Sequence, residues 1–219
     1  MLALPTETLP LALLEPFLLL RQLGGVNLLV GGCVRDMLLG VAPKDFDIVT
    51  DHSMAAVTAV FQDHGWQVKE VGLRFQVAHV SKGDAQFEIA RFRKDVYQDG
   101  ACNPVPGDIQ SDSARRDFTV NALYLEPWSG RVIDQTGQGI ADCQSKTLRF
   151  VGKPAQRIAE DPMRVLRFYR FIARKGLKPV AGHLRAVRTE WPNALARLLT
   201  EFNAAEGMRE EIEKLVGGL

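Results

Sequence analysis

The chain has 219 residues, of which 46% are hydrophobic and 24% charged, with a formal net charge of +1. This is the composition of an ordinary globular protein, large enough for one sizeable domain or two small ones. The charge balance does not by itself announce a nucleic-acid binder, so the placement of charge carries more information than its sum. No apolar run is long enough to span a bilayer. Three cysteines, Cys33, Cys102 and Cys143, are an odd number without metal-ligand spacing, and the four histidines form no zinc pattern. A reducing compartment is therefore predicted, and a cytoplasmic chain that does not engage a membrane. The leucine-rich N-terminus lacks a basic leader and is interrupted by Glu7, Pro10, Glu15 and Pro16. It reads as an amphipathic helix rather than a signal peptide.

In chain order, the pattern predicts a helix over 9–23, capped by Thr8 and stopped by Gly24-Gly25. A strand over 27–30 runs into Gly31-Gly32, a short helix over 34–39 ends at Gly40, and a strand over 45–50 follows. Ser53 caps a helix that stops at Gly65. Strands are expected over 66–71, 75–81 and 86–91, with Lys82-Gly83-Asp84 as the last turn. Residues 94–113 carry Gly100, Pro104, Pro106 and Gly107 with little periodicity, so they read as a functional or mobile loop. A short helix near 115–121 leads into a strand over 122–126, a turn over 127–130, a strand over 131–133 and an edge strand over 147–150. The remainder is helical. Asp161 and Pro162 open a helix that runs to Lys175 and is closed by Gly176, and further helices are expected over 183–188 and 203–215.

Chemistry concentrates between residues 30 and 50. Asp45 and Asp47 lie two apart in a predicted strand and so project from one face. Paired carboxylates gain nothing from packing. Mg²⁺ is the usual compensation, held by one or two carboxylates together with substrate phosphates. Gly31 and Gly32 allow main-chain amides to approach a phosphate, and Arg35 offers a guanidinium fork suited to phosphate oxygens. These groups converge on a nucleoside triphosphate. Glu88 is either a third carboxylate beside Asp45 and Asp47 or a solvent-facing strand residue. Arg116 and Asp117 are adjacent and opposite in charge, as in a structural ion pair. Arg164, Arg167, Arg170 and Arg174 recur at helical steps along one face. Asp161 accepts and Arg164 donates, which is what reading the edge of a base requires.

Three stretches together resemble the class II nucleotidyltransferases that include CCA-adding tRNA nucleotidyltransferases and bacterial poly(A) polymerases. They are the run from Gly31 to Thr50, the run Arg115-Arg116-Asp117-Phe118-Thr119-Val120-Asn121-Ala122, and the run from Glu160 to Phe171. The resemblance implies an α+β fold: a nucleotidyltransferase head of the polymerase-beta type over 1–150, with a mixed, mostly antiparallel sheet flanked by helices. An all-α, nucleotide-selecting neck over 151–219 would follow, with the family's helical body and tail domains absent. It implies two Mg²⁺ ions held by Asp45, Asp47 and a third acid, Glu88 or Asp117. Gly31, Gly32, Arg35 and Arg116 would cradle the triphosphate, with Asp117 near the ribose or the metals. Asp161 and Arg164 would act as an amino-acid template selecting CTP and ATP, with Arg167 and Arg170 on nucleotide or primer and Glu160 bracing the helix. The partner would be the 3′ end of tRNA or another RNA. Poly(A) synthesis, CC-only or A-only addition, and a catalytically silent nucleotide- or RNA-binding fragment remain alternatives. The family reads Asp-Gly-Arg where this chain has Asp99-Gly100-Ala101, and the oligomeric state is not specified.

Overall fold

The computed structural model describes residues 2–71, 76–98, 101–200, 208–211 and 213–214. It divides into two compact units, Met1–Arg115 with Asn121–Gly137, and Arg116–Val120 with Gln138–Leu219.

The first unit is built on a seven-stranded sheet. Helix α1 (Leu14–Leu23) is preceded by two 3-10 turns, and its N-cap is Leu13, which makes no side-chain cap. The other elements are β1 (Asn27–Val30), α2 (Gly32–Leu38), β2 (Asp47–Thr50), α3 (Met54–Asp63), β3 (Gln67–Val71), β4 (Val77–Lys82) and β5 (Ala85–Arg91). They continue with β6 (Arg93–Gln98), β7 (Ala101–Pro106), α4 (Ile109–Arg115), β8 (Leu123–Leu125) and β9 (Val132–Asp134). The sheet order is β3-β4-β5-β2-β1-β8-β9. Only β2 and β5 run parallel; the other neighbours are antiparallel. Central strands are buried on both faces, which is why β1 and β2 read as apolar runs rather than alternating ones. Leu28, Val30, Val49, Phe92 and Tyr124 form one cluster, against which Ile109 and Ile133 pack. Leu29, Ile48 and Ile89 are fully buried. Ser53 caps α3 by accepting from the Ala56 amide at 3.3 Å, as expected.

Two expectations fail here. The predicted strand over 45–50 begins only at Asp47. Its partner β1 ends at Val30, opposite Asp47, and the chain turns away at Gly31 (φ 76°), so residues 45–46 have no β1 partner. Phe46, which precedes the strand, is half-buried. The stretch over 94–113 is not a structureless loop: β6 and β7 form a two-stranded antiparallel hairpin, and α4 follows. Asp99 and Gly100, like the predicted strand start at Phe75, lie outside the described residues.

The second unit contains α5 (Gly139–Gln144), β10 (Thr147–Leu148), α6 (Pro154–Glu160), α7 (Met163–Lys175), β11 (Lys178–Pro179) and α8 (Ala181–Thr200). β10 does not join the large sheet as an edge. It pairs in parallel with β11 in a separate two-stranded ribbon. The segment Arg116–Val120 is counted with this unit because Phe118, which is fully buried, packs edge-on against Phe150 at 4.9 Å and beside Phe171 at 5.3 Å. Phe168 stacks on Phe150 at 5.4 Å and completes the cluster. Such offset and edge-to-face rings add about 0.5–1.5 kcal/mol per pair beyond their buried area. Helix α8 runs well past the predicted 183–188, through Pro192. Of the helix expected over 203–215, the described residues 208–211 and 213–214 are helical.

Candidate active site

In the first unit, strand register assembles the acidic residues. Asp47 is the partner of Val30 on one side and of Glu88 on the other, and Glu88 in turn pairs with His79. Register partners share a face, so His79, Glu88, Asp47 and the last residue before the glycine turn form one row across the sheet. Asp47 is half-buried and Asp45, in the turn before it, is exposed. Glu88 is 46% exposed, and its Oε2 lies 3.2 Å from His79 Nε2. It therefore stands beside Asp47 in the register and also at the solvent surface.

The turn is built from Gly31, whose left-handed φ only glycine adopts readily, and from Gly32 at the first position of α2. The Gly31 amide donates to the Leu123 carbonyl at 3.0 Å and is occupied in the sheet. Arg35 does not reach outward. At 6% exposure, its Nε donates to Asp36 Oδ1 at 2.8 Å and its Nη1 to Asn121 Oδ1 at 2.6 Å. It ties α2 to the point where the chain re-enters this unit at Asn121. Cys33, behind the turn, donates to the Val30 carbonyl at 3.4 Å. Burial, and then the charge of nearby Asp47, push its thiol up to about 12.

Asp45 and Asp47 suit a hard divalent cation in a specific way. Among the described residues no group of three or more His, Cys, Asp or Glu side chains is arranged to hold a metal. Carboxylates are the donor type Mg²⁺ prefers, and one or two suffice because the ion takes its remaining ligands from water and substrate phosphates.

In the second unit the arginines of α7 meet acids. Arg164 is 5% exposed and donates through Nη1 to Glu160 Oε2 at 2.9 Å and to the Arg157 carbonyl at 2.7 Å. Its Nε lies 3.9 Å from Asp161 Oδ2. Asp161 Oδ1 accepts from the Met163 amide at 2.9 Å, so Asp161 does cap the helix, one residue earlier than the formal N-cap, Pro162. Arg167 Nη2 lies 3.1 Å from Asp117 Oδ2, and that carboxylate raises the Arg167 pKa. Asp117 also accepts from the Phe118 amide at 2.7 Å. Arg170 Nε lies 2.5 Å from Glu211 Oε2. The stripe is thus not a solvated face, since Glu160, Asp117 and Glu211 meet three of its four arginines. Arg174 is exposed. Asp117, adjacent to Arg116, forms an ion pair with Arg167, fifty residues away in sequence.

Sequence reasoning missed three buried residues. Arg157 joins Glu160 and donates to the Arg116 carbonyl at 3.0 Å. Asn121 holds Arg35. Asp112, with no exposed surface, accepts from Tyr124 Oη at 2.8 Å and from Arg115 Nε at 2.9 Å. The i,i+3 spacings of Arg157 with Glu160 and of Asp112 with Arg115 were the legible signals.

A mixed sheet with a glycine turn after one strand and a carboxylate at the start of its neighbour defines a nucleotidyltransferase head. The chain belongs to the family of the poly(A) polymerase head domain, whose pattern it matches over residues 27–149. Poly(A) polymerase I of Haemophilus influenzae is 39% identical across 91% of this chain, which spans 45% of that protein. A CCA-adding enzyme of Streptococcus pyogenes serotype M2 is 35% identical across 84% of this chain and 46% of its own length. The crystal structure of Bacillus stearothermophilus CCA-adding enzyme in complex with CTP superposes with a TM-score of 0.80 at 29% identity, covering 96% of this chain and 50% of that one. The chain thus spans about half the length of these relatives. No helix among the described residues is long and apolar enough to cross a membrane.

Proposed function

We propose that the chain is a template-independent nucleotidyltransferase that adds CTP- and ATP-derived residues to the 3′ end of tRNA. The observation that supports it best is the register that sets Asp47 beside both the Gly31 turn and Glu88. In this reading Asp45 and Asp47 hold Mg²⁺ with a third acid, either Glu88, the register partner of Asp47, or Asp117, which otherwise serves the ribose. When bound, Mg²⁺ supplies charge neutralisation of the triphosphate and activation of the primer hydroxyl. The chain's own residues do the positioning on which phosphoryl transfer chiefly depends. The Gly32 end of α2 faces the phosphates with main-chain amides, Arg35 keeps α2 in place through Asn121, and Arg116 completes the cradle. Asp161 and Arg164 present an acceptor and a donor to the base, so that a wrong base leaves them unpaired. Arg167 and Arg170 are then supports of α7 as much as contacts for nucleotide or primer.

Poly(A) addition is a second reading, favoured by the 39% identity to a poly(A) polymerase I. The test is incubation of the chain with Mg²⁺, labelled tRNA lacking its 3′ end, and each NTP alone and in combination. Products stopping at CCA support tRNA repair, and a long ladder with ATP alone supports poly(A) synthesis. No extension with any NTP, when nucleotide binding is intact, refutes both for this chain and leaves the silent-fragment reading.

A further inference from the structure

We propose that Arg157 is a positioning residue for nucleotide selection, acting through Glu160 on Arg164; this rests on the template reading of Asp161 and Arg164. Arg157 is only 7% exposed, and arginine is seldom so buried unless it is paired. One arm of its guanidinium meets Glu160 Oε2, and the other donates to the Arg116 carbonyl at 3.0 Å. The same Glu160 oxygen receives Arg164 Nη1 at 2.9 Å, and that Nη1 also donates to the Arg157 main-chain carbonyl at 2.7 Å. Two guanidinium groups therefore converge on one carboxylate oxygen, and the far side of the first is fastened to the main chain of the Arg116-Asp117 motif.

The consequence is geometric. Arg164 can read a base only if its remaining N–H groups point in one direction, and that direction is set where its Nη1 is held. Glu160 holds it, Arg157 holds Glu160, and the Arg116 carbonyl holds Arg157. The planar fork of arginine makes both contacts at once, whereas lysine offers a single point of charge and keeps one of them at best. Arg157→Lys thus preserves the charge of the site while releasing the Arg116 end.

The experiment measures single-nucleotide incorporation by the full chain, with kcat and KM for CTP, ATP, UTP and GTP separately, in wild type, R157K, E160Q and R164A. Thermal unfolding of each variant is recorded alongside. R157K is expected to lower discrimination for CTP and ATP against UTP and GTP about tenfold while kcat for CTP stays within about threefold. E160Q is expected to do the same, and the R157K/E160Q double variant, measured in the same way, to be no worse than the single ones, because the residues act as one unit. If R157K does not fold, E160Q carries the same prediction. Unchanged discrimination in the folded variants, or an equal loss of kcat for all four nucleotides, overturns the proposal. If R164A itself leaves discrimination intact, the template reading fails first and the proposal falls with it; if only R164A blurs selection, the template stands and the role of Arg157 does not.

Discussion

Replacing Asp117 by asparagine separates a structural role from a chemical one. Asparagine keeps an oxygen for the Phe118 amide, which now sits 2.7 Å from Oδ1, and removes only the charge opposite Arg167, 3.1 Å away. Removing one partner of a fully buried pair costs about 3–5 kcal/mol. Here the Asp117 side chain is 6% exposed but that of Arg167 is 38% exposed, so water can solvate the abandoned guanidinium. The expected loss is therefore about 1–2 kcal/mol, nearer the value of a surface pair. At about 2–4 °C per kcal/mol for a chain of this size, Tm should fall by about 2–8 °C. The assay is a double-mutant cycle of D117N and R167A by thermal and urea unfolding. A coupling energy of about 1–2 kcal/mol is expected. Equal destabilisation by D117N with and without Arg167 would refute the pairing and return Asp117 to a purely chemical function.

Other consequences are simpler to read. D45A and D47A should each abolish primer extension, and for the exposed Asp45 the unfolding free energy should change by no more than a surface substitution allows, about 0.5 kcal/mol; normal extension by either variant would remove the metal assignment. Cys33, buried and with its thiol pushed up to about 12, should react with a thiol reagent at pH 8 far more slowly than it does in urea, because the thiolate is the nucleophile; rapid native labelling at Cys33, located by mass spectrometry, contradicts this. His183 accepts from the Phe150 amide at Nδ1, 3.0 Å, and burial followed by the Arg149 charge lowers its pKa. A depressed folded value means that stability is full above the ordinary histidine pKa of about 6.5 and is lost as pH falls from there toward the folded value. The drop in Tm between pH 7.5 and 5.5 should therefore be smaller in H183Q than in wild type, and identical pH slopes would exclude the effect.

Local chemistry was legible and non-local pairing was not. Ser53, Gly176 and the Lys82-Gly83-Asp84 turn act within a few residues of themselves, so caps and turns announced them. The hairpin of β6 and β7 was hidden because its faces are little buried, leaving alternation without a hydrophobic signal, and because Pro104 and Pro106 argue against a strand. The start of β2 was misplaced by two residues, since its true limit is set by where β1 turns at Gly31, which lies outside the strand itself. Spacing found the arginines of α7. It could not find their partners Asp117 and Glu211, which lie 50 and 41 residues away along the chain. The same limit applies to Arg35: its type suggested a phosphate ligand, and its partner Asn121, 86 residues on, makes it a brace.

The near-neutral total conceals a division that bears on the proposed chemistry. Of the 27 lysines and arginines, 16 fall in the second unit, whereas 16 of the 26 acids fall in the first. The first unit is therefore net −5 and the second net +6. Acids are required where a cation must be held, but an excess of them repels both a triphosphate and an RNA backbone. Bound Mg²⁺ offsets that repulsion only at the carboxylates it touches, and screening at physiological salt reaches across about 8 Å. The arginine and lysine surplus of the second unit is the positive charge that the proposed RNA partner would require. Several of those arginines are already committed to Glu160, Asp117 and Glu211, so the cations left for an RNA backbone are fewer than the count suggests. In the proposed function, affinity for RNA would rest on exposed groups such as Arg174, Lys178, Arg185 and Arg188, and contacts of that kind with phosphates release counterions and weaken as salt rises.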